Sequence, residues 1–299
     1  MVRAERFLRA ALERLEPLRG TFVYDAIVRD YLAKTEQEDA GYGRWLAALL
    51  PYLAQRGGRG AAPRVLDFGC GSGELTVLMN VLGFEAWGID VHAEHLKLAQ
   101  LLAEENGVPG ERFVLHEGGP LPFEDKHFDV VTLLVVLEHL SNDVLDRVVF
   151  ELHRVCRGVV IVQVPNRWQP RDDHTGLLLV PWMPRSLASA WVRLHGARRR
   201  YAISKDGSWD VYYRSYNAIR RRFDASGFDV EFLPDELVYP PLDQVPPLYG
   251  AGGAPAPAWK RTAGSVLRGA VHALSGGPLP PQAWYPYLHL VMLPRDRGR

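Results

Sequence analysis

A glycine-rich turn that follows a short apolar run is the feature that most constrains the fold of this chain. Residues 65–68 read Val-Leu-Asp-Phe, which predicts a buried strand, and glycines then stand at alternate positions: Gly69, Gly71 and Gly73. Glycine adopts backbone angles that other residues resist, and it lets a ligand approach the main chain. Turns of this kind lie at the carboxyl ends of parallel strands, where nucleotide-like ligands bind in doubly wound sheets. The turn therefore predicts an α/β fold with a ligand site at that edge.

The residues around the glycines indicate what kind of ligand binds. A dinucleotide site has the spacing G-x-G-x-x-G and places a pyrophosphate at the helix that follows. In this chain the spacing is different, and Asp67 precedes the glycines. A carboxylate at that position would repel a pyrophosphate but suits a ligand with a cationic amino group, which favours S-adenosylmethionine. Asp67 could instead serve only to cap the helix that follows the turn.

A second acid and a third apolar run complete the predicted pocket. Asp90 ends an apolar segment about twenty residues after the turn, the spacing at which an acid reaches ribose hydroxyls. Glu117 follows the run at 112–115, and an acceptor there can contact the adenine edge. Cys70 lies within the turn, where nothing activates its thiol, and is interpreted as a space-filler beside the ligand. The candidate cofactor contacts are Asp67, Gly69, Cys70, Gly71, Asp90, Val91, Glu117 and Gly118.

Four segments carry a resemblance to a known family: VLDFGCGSGELT (65–76), GID (88–90), LPFEDKHFDVVTLLVVLEHL (121–140) and VIVQVPN (160–166). In order and spacing they resemble the class I S-adenosylmethionine-dependent methyltransferases, in particular the small-molecule branch of type 11-like enzymes that includes quinone-biosynthesis methylases. The resemblance implies a Rossmann-like doubly wound sheet of seven strands whose last strand is antiparallel. It also implies that Asp67 and the glycine turn hold the methionine part of the cofactor and that Asp90 holds the ribose. Where the family often has Gly-Asp-Ala, this chain has His-Glu-Gly at 116–118.

The chain is predicted to divide into an N-terminal helical cap, residues 1–60, and a methyltransferase domain, residues 61–299. The predicted strands cover residues 65–68, 87–90, 112–115, 128–134, 159–164, 228–233 and 287–293, and the clearest helices cover 24–34, 43–55 and 216–226. Residues 234–283 are predicted to hold an extended loop and then a basic amphipathic helix over 259–274. The apolar face of that helix is predicted to consist of Val266, Leu267, Val271 and Leu274.

Residues 166–215 do not fit a strand–helix repeat and are predicted to be an insertion after the fifth strand. The segment is rich in proline and aromatic side chains, among them Trp168, Trp182, Trp191, Trp209, Tyr212 and Tyr213. So much aromatic surface at this place in the fold indicates a cover over the acceptor site. The alternative is that the segment forms a small satellite core of its own.

Composition limits the classes of partner and the compartment. The formal net charge is +0 and the pI is near 7.2, so no overall basic field attracts nucleic acid. No apolar run reaches the roughly 20 residues that span a bilayer, and the first residues lack the apolar stretch of a signal peptide. The two cysteines, Cys70 and Cys156, suggest no disulfide framework, which favours a reducing, cytoplasmic location. The Asn/Asp-Pro-Pro-Tyr motif of enzymes that methylate base amino groups is absent from the sequence.

Two histidines are the candidates for a catalytic base. His139 follows the fourth predicted strand, near the expected methyl group, and His174 follows two aspartates within the predicted insertion. A hydroxyl acceptor benefits from a base near its proton, and an imidazole titrates near neutral pH. Either histidine could instead make only a structural hydrogen bond. The ten histidines show no paired metal-ligand spacing, so no metal is expected.

Three functions are compatible with the sequence. The first is methylation of a small molecule in a biosynthetic pathway, on oxygen, with S-adenosylmethionine as the donor. The second is methylation of a lipid-linked or quinone acceptor at a membrane surface, which basic and aromatic segments at 198–201 and 260–261 would contact. The third is a cofactor-binding partner or sensor protein without catalysis. The sequence predicts no oligomeric state.

Overall fold

The fold is that of a computed structural model, which describes residues 2–20, 22–35, 41–57, 63–195, 209–238, 258–275 and 278–295. Its centre is a sheet of seven strands: β1 (Arg64–Phe68), β2 (Glu85–Asp90), β3 (Phe113–Leu115), β4 (Phe128–Leu134), β5 (Cys156–Pro165), β6 (Phe228–Phe232) and β7 (Tyr287–Pro294). The strand order is β3-β2-β1-β4-β5-β7-β6, and β7 runs antiparallel to both of its neighbours. The predicted doubly wound sheet with an antiparallel last strand is confirmed.

Nine helices are described around this sheet: α1 (Glu5–Leu15), α2 (Phe22–Thr35), α3 (Gly41–Gly57), α4 (Glu74–Val81), α5 (Ala93–Glu105), α6 (Asn142–Val155), α7 (Arg185–Leu194), α8 (Tyr216–Ala225) and α9 (Ala258–Ser275). The strands are apolar on both faces because helices cover both. Val130 packs with α3 and α4, whereas its neighbour Val131 packs on the opposite face with α6 and α8. For this reason residues 128–133 are buried without interruption, and Leu134 is half-buried.

The predicted helical N-terminus is confirmed, and its helices pack directly on the domain. Phe7 and Ala11 of α1 are buried against α5, where the Glu105 carboxylate accepts hydrogen bonds from two amides of α1. Leu46 and Leu49 of α3 cover the sheet itself, beside β4 and β5. The segment 1–60 therefore supplies part of the layer that buries the sheet.

The third glycine of the turn is required by packing as well as by backbone angle. Gly73 has φ +83°, and a Cβ atom there would lie 2.6 Å from the Cβ of Ala99 and 2.8 Å from Phe113. The turn thus lies against α5 and β3, and no larger residue fits without moving α5. Gly73 is also the N-cap of α4, whose first residue is Glu74, so this packed position lies directly before the helix.

The insertion at 166–215 contains a hydrophobic cluster of its own. Its buried members are Leu177, Val180, Ala188, Val192, Trp209, Val211 and Tyr213. This is the arrangement expected of the satellite-core alternative. The same segment also carries His174 towards the end of β4, so the cluster does not exclude a covering role.

Around α9 the sequence prediction is only partly right. The helix forms, but Val266 is 69% exposed whereas Val271 is buried, so the prediction that they share one face is wrong. Five residues on a helix correspond to about 140° of rotation, which separates the two side chains. The side chains of Leu267, Leu274 and residues 260–261, the basic segment 198–201 and most of the predicted loop, 239–257, lie outside the described residues. Within the described part of the chain, no helix has the length and apolar character needed to cross a bilayer.

Candidate active site

The glycine turn is held to the end of β2 by backbone and side-chain hydrogen bonds. The amides of Gly69 and Cys70 both donate to the carbonyl of Ile89, at 2.8 and 2.9 Å. The amide of Gly71 donates to Oδ2 of Asp90 at 2.9 Å, and the amide of His92 donates to Oδ1 at 2.8 Å. The structure therefore brings the turn and the second acid together, as the sequence predicts.

Asp67 is buried beneath the turn and accepts two hydroxyl hydrogen bonds. Thr76 donates to its Oδ2 at 2.7 Å and Thr132 donates to its Oδ1 at 3.0 Å. The alternative of a helix cap is not what forms, because Gly73 is the N-cap of α4 and Asp67 bonds a threonine hydroxyl instead of an amide. Burial raises the pKa of Asp67 to about 6 despite these donors. The carboxylate still has lone pairs for a ligand, since each oxygen can accept more than one hydrogen bond.

The remaining predicted cofactor contacts lie at the same edge of the sheet. Val91 and Glu117 are exposed beside Asp90, whose carbonyl accepts a hydrogen bond from the amide of His116. Gly118 has φ +133°, and nothing lies within 4 Å of the place of a Cβ atom. Cys70 is buried, and its burial raises the pKa of its thiol well above the usual value. The negative charge of Asp67 raises this pKa further. A protonated, buried thiol agrees with a space-filling role and with no nucleophilic one.

The two candidate histidines meet at the carboxyl end of β4, although they are far apart in the sequence. Their ring centroids are 5.2 Å apart and the rings are nearly perpendicular, at 89°. Glu138 lies beside them, and potential ligand atoms of Glu138, His139 and His174 all lie within 4.8 Å of one another. We refer to these three residues as the imidazole–carboxylate cluster.

The Nδ1 atom of each imidazole in the cluster faces an oxygen atom, but only that of His139 is within hydrogen-bond distance. The Nδ1 of His139 lies 3.2 Å from the carbonyl oxygen of Asp210, which leaves Nε2 as the acceptor in the neutral ring. Burial and the neighbouring His174 lower the pKa of His139 to about 4, so this ring is neutral at pH 7. The Nδ1 of His174 lies 3.6 Å from Oδ1 of Asp172.

Asp172 faces the Nδ1 atom of His174 beyond hydrogen-bond distance, and that nitrogen has no hydrogen-bond partner among the described residues. The Asp172 carboxylate accepts from the amide and hydroxyl of Thr175, at 2.6 and 2.5 Å, and from the hydroxyl of Tyr213 at 2.5 Å. Burial disfavours the charged form of His174, but Asp172 and, more weakly, Glu138 raise its pKa above the usual value. The carboxylate is near enough to stabilise a protonated His174 by its charge, although the two groups are not hydrogen-bonded.

Glu138 is a site residue that the sequence analysis missed. Its side chain is fully buried, neither carboxylate oxygen has a hydrogen-bond partner among the described residues, and burial raises its pKa to about 7. An unsatisfied buried carboxylate is costly, and such groups are found mainly where a ligand completes them. Its place directly before His139 at the end of a strand was the only available signal.

The cluster has the donor types of a divalent-cation site. Two imidazoles and one carboxylate are ligands that Zn²⁺ and several other divalent ions accept. The sequence predicts no metal because the ligands come from two distant segments, without local spacing. In the described part of the chain this is the one group of three such residues within reach of each other.

Comparison with known proteins agrees with the geometry at the glycine turn. Residues 65–158 match a family model described as a methyltransferase domain. A ubiquinone biosynthesis O-methyltransferase of Psychrobacter cryohalolentis is 30% identical over 44% of this chain and 46% of its own length. One from Yersinia pestis is 37% identical over 31% of this chain and 38% of its own length. The chain thus spans less than half the length of these curated relatives.

Among solved structures, an S-adenosylmethionine-dependent methyltransferase from Methanosarcina mazei is similar at 14% identity, with a TM-score of 0.47, over 79% of this chain and 95% of that one. The chain carries a methyltransferase domain of the class that uses S-adenosylmethionine. Within that class it resembles the quinone methylases, and the predicted resemblance is confirmed.

The raised pKa of Asp67 predicts a specific effect of pH on stability. Its ordinary pKa is 3.8 and its folded pKa is about 6, so between these values the folded state binds more protons than the unfolded state. Stability from this group therefore decreases as the pH rises through that window. The free energy of unfolding of the wild type minus that of Asp67→Asn should fall by up to about 3 kcal/mol from pH 4 to pH 7. Urea denaturation across this range measures it, and parallel pH profiles would contradict the prediction.

Proposed function

We propose that the chain transfers the methyl group of S-adenosylmethionine to a hydroxyl group of a small molecule. The observation that carries the proposal is the position of the imidazole–carboxylate cluster. It lies just beyond β4, which pairs with β1, the strand that leads into the glycine turn. A proton acceptor is therefore beside the edge where the cofactor is expected to bind. The curated relatives, which are named as ubiquinone O-methyltransferases, support methylation on oxygen.

The chemistry asks for alignment and for removal of one proton. The sulfonium is already a strong methyl donor, so the protein mainly orients the acceptor oxygen and excludes water. In this proposal the Nε2 of His174 takes the hydroxyl proton as the oxygen attacks the methyl carbon, and Asp172 stabilises the imidazolium that forms. His139 is the second candidate, but its low pKa makes it the weaker base.

A lipid-linked or quinone acceptor at a membrane surface is the main alternative acceptor class. The names of the curated relatives favour a quinone precursor. Flotation of the protein with anionic liposomes distinguishes a membrane-bound acceptor from one in solution. A non-catalytic cofactor-binding protein, the remaining alternative, would transfer no labelled methyl group to any extracted metabolite.

Cofactor affinity tests the roles proposed for the glycine turn and Asp90. Replacing Asp90 with Ala removes the two acceptor oxygens expected to bind the ribose hydroxyls, at roughly 1.5–3 kcal/mol per charged hydrogen bond. Calorimetry with S-adenosylhomocysteine should show this loss. Glu94→Ala is the matched control, because Glu94 is an exposed acid at the start of α5 whose ion pair within the described part of the chain is with Lys97. Unchanged affinity in Asp90→Ala would place the cofactor elsewhere.

Hydrogen exchange tests whether the insertion at 166–215 covers the acceptor. We propose that its aromatic residues form the acceptor walls, because His174 reaches the cluster from this segment. Backbone amides of 166–195 should exchange more slowly when cofactor product and acceptor bind together than when either binds alone. Full protection already in the empty protein would instead show a permanent satellite core.

Turnover of a His174 variant tests the proposed base. His174→Ala should lower the rate by about 10²–10⁴ while cofactor affinity stays nearly unchanged. The wild-type rate should fall as the pH drops below the raised pKa of His174, because the base is then protonated, and this limb should be missing in the variant.

His195→Ala is the control for that variant, since this histidine of the same insertion lies outside the cluster and, among the described residues, its ring hydrogen-bonds the carbonyl of Trp191. A His174 variant that keeps both its rate and its pH profile would contradict the base. Removal of divalent ions with EDTA distinguishes the histidine base from a metal-assisted mechanism. A rate that is lost with EDTA and restored by metal would mean that the cluster binds a cation that acidifies the hydroxyl.

A further inference from the structure

A cavity lies next to the imidazole–carboxylate cluster, and residues outside the cluster line it. Its volume is about 450 Å³, and it lies between the insertion and the start of α8. Residues 209–214 contact both places, since Asp210 and Tyr212 bond His139 and Glu138 through their main chains while Trp209 and Tyr212 line the cavity. Of the described residues, no member of the cluster lines it.

The charged groups of this cavity are of one sign. Four arginines line it, Arg167, Arg185, Arg214 and Arg222, and no aspartate or glutamate is among the described lining residues. Arg222 forms an ion pair with Asp146 on its helical neighbour α6. For the other three arginines, the described residues provide no carboxylate within ion-pair distance, although the carboxylates of Glu138 and Asp146 act on Arg214 at longer range.

Neutral groups hold these guanidinium groups in place. Arg185 donates from Nε to the carbonyl of Trp209 at 3.0 Å and from Nη1 to the hydroxyl of Tyr212 at 2.6 Å, and its guanidinium lies 3.9 Å from the centre of the Tyr212 ring. Arg214 is buried, and it donates from Nη1 to the carbonyl of Leu137 at 2.7 Å and from Nη2 to that of Leu140 at 2.5 Å. Carbonyl and phenol oxygens orient a guanidinium without cancelling its charge.

The electrostatic cost of this arrangement is visible at Arg214. Burial and the charge of Arg222 lower the pKa of Arg214 to about 10. The guanidinium of Arg167 is held less firmly, because its only side-chain hydrogen bond to a described residue runs from Nη1 to the carbonyl of Tyr213 at 3.3 Å. Its remaining donors are available to a ligand.

The start of α8 and the apolar walls add to the same preference. Ser215, the N-cap of α8, lines the cavity, and the amino end of a helix of this length favours an anion. The walls between the arginines are apolar and aromatic, from Trp168, Trp209 and Met183. A ligand that fits would therefore combine a negative group with an aromatic or apolar body.

We propose that this cavity binds a small molecule that carries an oxyanion group, phosphate or carboxylate, on an aromatic body. Guanidinium groups pair with both groups through two parallel hydrogen bonds, and the cavity volume is in the range of small-molecule sites. The inference does not require methyl transfer, because no member of the cluster lines the cavity, although Trp168, Trp209 and Tyr212 belong to the insertion that is proposed to form the acceptor walls.

Binding of phenyl phosphate, benzoate and inorganic phosphate to the full chain tests the proposal. S-adenosylhomocysteine is kept at saturation so that the probes cannot occupy the cofactor site, and calorimetry measures the affinities. Phenyl phosphate or benzoate should bind, more tightly than inorganic phosphate, and less tightly as salt increases. The stronger of the two aromatic probes identifies the oxyanion.

Arg167→Gln should weaken binding of the stronger probe by about tenfold or more, since one charge-assisted hydrogen bond is lost. Arg221→Gln is the matched control, because this arginine of α8 does not line the cavity and bonds the carbonyl of Asn217; its affinity should equal that of the wild type. If Arg167→Gln melts at a lower temperature than the wild type, Arg185→Lys takes its place as the test. Lysine keeps the positive charge but loses the planar fork, so binding of the stronger probe should again weaken.

Absence of binding by both aromatic probes at millimolar concentration would overturn the proposal. Equal loss in Arg167→Gln and Arg221→Gln would also overturn it, because the probes would then respond only to the overall charge. If inorganic phosphate bound as tightly as phenyl phosphate, the proposal that the ligand has an aromatic body would be wrong.

Discussion

The bond between Asp90 and the glycine turn is the interaction on which the cofactor edge depends. A turn of this kind leaves amides without partners inside it, and the end of β2 supplies those partners. The Ile89 carbonyl accepts from the first two amides of the turn, and the Asp90 carboxylate accepts from Gly71. The acid expected to bind the ribose therefore already has a structural role, and it can do both because a carboxylate accepts about four hydrogen bonds.

A second set of contacts sets the geometry of the chemistry. Arg214 donates to the carbonyls of Leu137 and Leu140, which flank Glu138 and His139 in the chain. The amide of Tyr212 donates to the carbonyl of Glu138 at 2.6 Å. The sheet alone would leave the residues after β4 as a free loop. The insertion fixes them, so the orientation of both imidazoles depends on a segment that a bare α/β sheet does not need.

The sequence predicted what depends on local pattern. Apolar runs bounded by turn residues defined the strands, and residues 128–134 match β4 at both ends. The acid-led glycine turn predicted the place of Asp67 and Asp90 because they lie at the carboxyl ends of β1 and β2, which pair in the sheet. Such features need only the period of a strand and the rule that ligands bind at its carboxyl end.

The remainder depends on tertiary packing. Glu138 looks like an exposed acid in the sequence, and only the approach of the insertion buries it. His139 and His174 come from segments whose distance no spacing rule predicts. On α9 the apolar residues were assigned to one face by composition, whereas Val266 faces solvent. The covering role of the insertion and the identities of the contact residues stay predictions.

The two ends of the insertion lie side by side. Asn166, directly after β5, forms a parallel bridge with Arg214, just before α8, and the amide of Arg167 donates to the Arg214 carbonyl at 3.1 Å. The chain leaves the sheet after β5 and returns before α8 at the same point. The distance between these two ends is therefore short, whatever the length of the insertion that joins them. Evolution can lengthen, shorten or replace such an excursion without moving a strand. The catalytic sheet could thereby gain a new acceptor while its cofactor edge stays unchanged.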